Sequence, residues 1–253
     1  MILKLLIRLK LDTLNNIFIL LLLFPMLSFA GDDITSRDMQ STYEEVKTPY
    51  KYGLVIAPQD NSRKIDCPSV YKYNGKWYMT YVVYNGKDGL DGRGYETWMA
   101  ESNDLLQWKT LGRVLSYRDG CWDCNQRGGF PSLVDWTWGG SYGIGKYKGR
   151  YWMTYIGGSG TGYEAVRAPL NIGIASTKGN ISLAHEWDAA ESPLLSINDK
   201  DAQWWERLTQ YKSTIYDDKD KKLGHRFVMF YNAGGVNPVN NMKAERIGIA
   251  LSD

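Results

Sequence analysis

Apolar and polar positions recur along this chain in three copies of one pattern. Asn74-Gly75-Lys76-Trp77-Tyr78-Met79-Thr80-Tyr81 returns as Lys148-Gly149-Arg150-Tyr151-Trp152-Met153-Thr154-Tyr155. A looser copy follows as Leu223-Gly224-His225-Arg226-Phe227-Val228-Met229-Phe230-Tyr231. Each copy is a polar, glycine-containing turn running into a strand, and Asn-Gly between β-formers is a strong hairpin signal. A second signal keeps the phase: Met99-Ala100, Ile174-Ala175 and Ile249-Ala250 fall at matching places. The repeat is about 75 residues, and a fixed period of this kind signals stacked or radial supersecondary units.

Each unit reads as a β-meander. The first is predicted to place strands at 69–73, 77–84, 95–102 and 109–115. The second places them at 132–146, 151–157, 172–176 and 193–196, with Trp187 answering Trp108. The third places them at 212–216, 227–232 and 246–251. Four strands per repeat is the make-up of a propeller blade. The expected fold is therefore all-β, a β-propeller of the five-bladed type with about three blades in this sequence. Blade 1 is expected at about 55–116, blade 2 at about 123–196, and an incomplete blade 3 at about 206–253. Propellers close with about four to eight blades, because open sheet edges pair wrongly. The pattern thus predicts a C-terminally truncated propeller, two blades short of a five-fold ring.

The first thirty residues stand apart. Lys4, Arg8 and Lys10 lead into an apolar run at 17–27, and Ser28-Phe29-Ala30 offers small residues where a signal peptidase reads. This reads as a signal peptide over residues 1–30, cleaved before Gly31. It predicts a secreted or periplasmic protein with no stable membrane insertion, the run being shorter than the roughly 20 residues of a spanning helix. Without the leader, basic and acidic residues balance, so no basic field exists to hold nucleic acid. The 10 Trp and 18 Tyr suit both sheet packing and stacking on sugar rings. Of the three cysteines, Cys121 and Cys124 have a metal-like spacing, but with no second pair the zinc signal is weak and no metal is assigned.

Inner blade strands begin near a propeller axis, and an acid precedes the first strand of each repeat: Asp66, Asp123 and Glu206. Such acids more commonly cap turns or stay solvated. Three of them, flanked by aromatic, Cys or Pro residues, point to glycosidic bond cleavage. That reaction needs a carboxylate as base or nucleophile and a carboxylic acid for the leaving oxygen. A third acid can tune the donor by like-charge repulsion. The spacing to the repeated methionines is uneven, so Asp119 or Asp135 could replace Asp123. Glu96, Glu164 and Glu245 hold a matching position before the third strands, where they either line the axis or pair structurally. Trp122, Trp205, Glu164 and Arg127 are candidate substrate contacts. Arg167, Arg207, Trp77 and Trp204 are weaker ones, and His185 and His225 sit in turns.

Asp66-Cys67-Pro68-Ser69-Val70, followed by Gly75-Lys76-Trp77-Tyr78-Met79 and by Ala100-x-Ser102-Asn103-Asp104-Leu105-x-x-Trp108, resembles the five-bladed propeller glycosidases of glycoside hydrolase families 43 and 130. The resemblance covers about residues 50–253. It implies that Asp66 is the general base, that Glu206 is the general acid, and that Asp123 tunes and orients. It also leaves room for an axial calcium, though no cofactor is called for. The expected function is an exported glycoside hydrolase acting on carbohydrate. The rivals are a non-catalytic carbohydrate-binding propeller and a glycoside phosphorylase.

Overall fold

The computed structural model describes residues 35–47, 52–58, 61–85, 93–163 and 169–253. The leader at 1–30 lies outside the described residues. The chain divides into two units, 1–52 and 53–253. In the first, helix α1 (Ser36–Val46) starts from a reciprocal cap. The Asp38 N–H donates to Thr35 Oγ1 at 3.1 Å, and the Thr35 N–H donates back to the Asp38 carboxylate at 3.1 Å. The threefold pattern does not predict α1.

The second unit holds three antiparallel sheets in which sequence order and spatial order agree. The first is β1 (Lys64–Tyr73), β2 (Lys76–Tyr84), β3 (Tyr95–Ser102) and β4 (Lys109–Leu115). The second is β5 (Gln126–Pro131), β6 (Tyr151–Gly158), β7 (Asn171–Thr177) and β8 (Asp188–Ala189). The third is β9 (Thr209–Asp217), β10 (Phe227–Val236) and β11 (Lys243–Ser252).

The repeated residues turn out to be cross-strand partners. Met79 pairs with Val70 on one side and Ala100 on the other; Met153 pairs with Pro131 and Ala175; Met229 pairs with Ile215 and Ala250. A long flexible side chain facing an alanine lets neighbouring sheets close together. The core between the first two sheets contains Tyr71, Tyr78, Met99, Leu115, Met153 and Tyr155. The core between the second and third contains Ile172, Met229, Tyr231 and Ala233. Strand β5 packs on β2 and β3, while β9 packs on β6 and β7 and also touches β5.

One expected strand is displaced. The inner strand of the second sheet is Gln126–Pro131, not 132–146. Residues after Pro131 instead form a loop, held by bridges Val134–Ile144 and Lys72–Gly143. The apolar run misled because Leu133, Val134 and Ile144 are anchored beneath a loop rather than laddered in a strand.

Candidate active site

Asp123 and Glu206 occupy matching positions and share one local architecture. Asp123 is fully buried. Its Oδ2 accepts the Tyr155 hydroxyl at 2.8 Å, its Oδ1 accepts Arg118 Nε at 2.8 Å, and Arg127 Nε forms an ion pair with Oδ2 at 3.2 Å. The preceding residue, Trp122, stacks on Tyr155 with centroids 5.9 Å apart. Glu206 repeats this arrangement. Its Oε1 accepts the Tyr231 hydroxyl at 2.5 Å, its Oε2 accepts the Gln203 N–H at 2.6 Å, and Trp205 stacks on Tyr231 at 5.9 Å.

Glycine makes each stack fit. Tyr155 lies opposite Gly173 in the ladder and Tyr231 opposite Gly248; a methyl group at either would run into the tyrosine ring. Burial first, and the adjoining carboxylate second, push both phenols above their ordinary pKa. The matching tyrosine of the first sheet, Tyr81, lies opposite Trp98 and bonds Thr110 Oγ1 at 3.1 Å.

Arg127 belongs to the same buried cluster. It is 2% exposed, and its Nη1 donates to Glu186 Oε1 at 2.7 Å and to the Ser116 carbonyl. With Arg118, Glu186 and Asp188 it lines a polar cleft of about 540 Å³ between the first and second sheets.

Asp66 lies elsewhere and is exposed. The β1–β2 register slips between Asp66 and Ser69, and Cys67 adopts φ 52°, a left-handed conformation unusual for a residue with a side chain. The bulge bends the strand and re-aims Asp66 out of the ladder. Its Oδ1 accepts the Cys67 N–H at 2.6 Å. The Cys67 thiol hydrogen-bonds to the Asp66 carboxylate and to the Lys212 ammonium. Burial is the main cause that raises this thiol's pKa, against the lowering effect of Lys212.

Asp66 lines a cavity of about 280 Å³ to which all three sheets contribute. Asp66, Cys67, Val82 and Tyr95 come from the first sheet, Ile156 and Leu170 from the second, and Thr209, Tyr211, Lys212 and Glu245 from the third. Its carboxylates are Asp66 and Glu245; Asp123 and Glu206 are not in its wall. Phe130, Ile156 and Leu170 form a buried apolar floor against which Cys67 and Tyr211 pack.

The three glutamates before the third strands part company. Glu245 is exposed in the cavity. Glu96 is 1% exposed, accepting Asn85 Nδ2 at 2.5 Å with Arg113 Nη1 at 3.5 Å. Glu164, like Arg167, lies outside the described residues. Asp119 pairs with Arg93, and Asp135 accepts the Thr137 and Ser141 N–H groups within its own loop. Cys121 and Cys124 are free thiols.

Calcium does not suit the cavity. It takes six to eight oxygen ligands, and here two carboxylates share the wall with the Lys212 ammonium. Among the described residues no group of three or more His, Cys, Asp or Glu side chains is placed to hold a metal. Among them, too, no helix is long and apolar enough to cross a membrane.

The spacing of the sequence does not reveal Lys212 or the role of Cys67. The one available signal is the Asp-Cys-Pro-Ser string itself, in which a residue is inserted between an acid and a proline at a strand start.

No family model and no curated protein matches the sequence. Among solved structures, the chain is similar to one described as "Glycoside hydrolase", with 71% identity, a TM-score of 0.80, and coverage of 86% of this chain and 62% of that one. It is equally similar to a complex of BT0996 and RGII, with 71% identity, a TM-score of 0.80, and coverage of 87% and 62%. A third, "Zg3597, a family 117 glycoside hydrolase" from the marine bacterium Zobellia galactanivorans, shares the fold at 17% identity and a TM-score of 0.54, over 77% of this chain and 54% of that one. The chain spans less than two thirds of the length of the first two. Its three sheets are blades of a β-propeller like that of these glycoside hydrolases, about three of them being present here.

Proposed function

We propose that this chain is part of an exported glycoside hydrolase and that the Asp66 cavity is where the sugar is cleaved. The observation that carries this reading is the meeting of two exposed carboxylates, Asp66 and Glu245, from different sheets in one cavity. The 71% identity to a glycoside hydrolase supports the reaction class, and the basic, apolar and small-residue layout of residues 1–30 supports export.

Hydrolysis needs one carboxyl group to protonate the leaving oxygen and a second to act as base or nucleophile. Asp66 takes the second role. Its carboxylate is aimed by the bulge and steadied by the Cys67 N–H and thiol, with the Lys212 ammonium on the far side of that thiol. Glu245 takes the proton-donor role from the opposite wall. Tyr95 and Tyr211 give the sugar ring an aromatic contact. Asp123 and Glu206 hold blades together in this reading: each already accepts a tyrosine hydroxyl plus a second donor. The substrate is carbohydrate, with RGII oligosaccharides the first to try.

The test is turnover of RGII oligosaccharides and of a glycan panel by the purified protein, with and without phosphate. Asp66→Asn and Glu245→Gln should each lose at least about a hundredfold in kcat, general acid–base catalysis alone contributing about 10²–10⁴-fold. Undiminished kcat in both variants refutes the assignment, and strict phosphate dependence moves the reaction to phosphorolysis.

A further inference from the structure

The loop that follows Pro131 carries an aromatic surface outside the Asp66 cavity. Trp138 is 97% exposed and Trp136 is 40% exposed. An exposed indole is ordinarily mobile, yet this loop is tied at many points. Asp135 Oδ1 accepts the Thr137 N–H at 3.1 Å, and Oδ2 accepts the Ser141 N–H at 2.9 Å and the Ser141 hydroxyl at 2.6 Å. The Gly140 N–H donates to the Thr137 carbonyl at 2.8 Å, and the Gly139 N–H donates to the Tyr142 hydroxyl at 3.0 Å. The base is fastened to the first sheet, because the Lys72 N–H donates to the Tyr142 carbonyl at 2.8 Å. Tyr142 in turn packs on Trp77 at 6.0 Å, and the Lys72 ammonium sits 4.3 Å over the Trp77 ring.

Position separates this surface from the cavity. Asp66 lies near the start of β1, and Tyr211 and Glu245 near the starts of β9 and β11, at one end of the sheets. The Trp136–Trp138 loop joins the end of β5 to the start of β6 and is stitched to Lys72 near the end of β1. It therefore lies at the other end of the sheets.

We propose that Trp138, with Trp136, forms a second carbohydrate-binding surface that holds a sugar ring of a longer glycan away from the cleavage site. The proposal rests on the carbohydrate-directed function above. Three features favour a sugar over other occupants. A flat indole suits the C–H face of a sugar ring. The loop's acid is consumed by its own hydrogen bonds, so the aromatic surface offers no free charge for an ionic partner. Two indoles on a projecting loop also fall far short of the roughly 800 Å² per partner that a stable protein–protein contact buries.

The experiment compares wild-type protein with Trp138→Ala and with the double variant Trp136→Ala/Trp138→Ala. Hydrolysis of a short soluble RGII oligosaccharide reports on the cavity, and retardation in gels containing intact RGII reports on the loop. Covering about 100 Å² of indole, less the ordering cost of association, sets the expected loss of retardation at about tenfold. Hydrolysis of the oligosaccharide and the thermal midpoint should stay at wild-type values, because Trp138 packs on almost nothing. Retardation unchanged in the double variant, or none in the wild type, overturns the second site while leaving the cavity assignment standing. Failure of the wild type to hydrolyse the oligosaccharide strikes the cavity assignment instead. A concentration-dependent dimer that Trp138→Ala abolishes assigns the indoles to self-association and also overturns the proposal.

Discussion

Neutralising Asp123 and neutralising Asp66 should have opposite consequences. Asp123 is fully buried, and its carboxylate is the shared anion for Arg127, which is 2% exposed, and for Arg118. Asp123→Asn leaves the Arg127 guanidinium buried with Glu186 as its one remaining carboxylate. Removing one member of a buried ion pair costs about 3–5 kcal/mol, chiefly because the other charge is stranded. The Arg118 arm adds little, since Arg118 is partly exposed and water screens it. For a unit of this size about 2–4 °C accompanies each kcal/mol, so the thermal midpoint should fall by roughly 6–20 °C. Asp66 is exposed, and its replacement by Asn should move stability by no more than about 0.5 kcal/mol while removing turnover. Urea unfolding followed by tryptophan fluorescence supplies the first readout. Turnover well below both midpoints supplies the second. An Asp123→Asn protein with a wild-type midpoint and no turnover would refute the reasoning, because it would make Asp123 a participant in the reaction rather than a tie between strands.

Three further outcomes follow from the same geometry. Tyr231→Phe removes the hydroxyl that Glu206 accepts at 2.5 Å and should destabilise by about 1.5–3 kcal/mol, read as a lower urea midpoint at constant slope. Gly248→Ala forces a methyl into the space of Tyr231 and Trp205 and should lower the midpoint by about 1–3 kcal/mol, whereas the same change at Gly149, with open space around it, should act through backbone strain alone. Tyr117 is pushed up to about 12, first by burial and then by the Glu96 charge. Its folded pKa lies above its ordinary value near 10, so its contribution to stability is intact below pH 10 and lost as pH rises from 10 towards 12. Tyr117→Phe should flatten the alkaline arm of the stability curve, and an unchanged arm would count against it.

The fold was legible because the repeat carries its own register. The methionines at 79, 153 and 229 and the alanines at 100, 175 and 250 were spaced alike because each pair meets across a strand ladder. Local pattern failed where tertiary anchoring replaced ladder pairing, as at Leu133 and Val134 beneath the tryptophan loop. It also gave no sign of α1, whose capping box lies outside the repeat. The acids were found as a set, but their fates depend on partners distant in sequence. Tyr155 lies 32 residues from Asp123, and Tyr231 lies 25 from Glu206. Glu245 and Glu96 looked alike in sequence and differ in burial because Asn85 and Arg113 enclose only the latter.

The contrast between the three sheets accounts for why one acid of the set is open. In the second and third sheets the middle strand carries a tyrosine over a glycine, Tyr155 over Gly173 and Tyr231 over Gly248. The vacated space brings a Trp–acid pair down onto the ring, and the acid becomes the tyrosine's acceptor. In the first sheet Trp98 fills the glycine position, so no Trp–acid pair can settle over Tyr81, and Thr110 bonds its hydroxyl instead. The acid that leads this sheet has no tyrosine to serve. A bulge at Cys67 turns it into the cavity, where it meets Glu245. Placing glycine at Trp98 would open the space over Tyr81 but would not recapture Asp66, because the bulge fixes where that carboxylate points. Trp98→Gly should therefore weaken the first sheet, by about 3–5 kcal/mol for loss of a large aromatic, yet leave the KM of the surviving folded fraction near the wild-type value. A large rise in KM would show that the position of Asp66 depends on the packing of this sheet and not on the bulge.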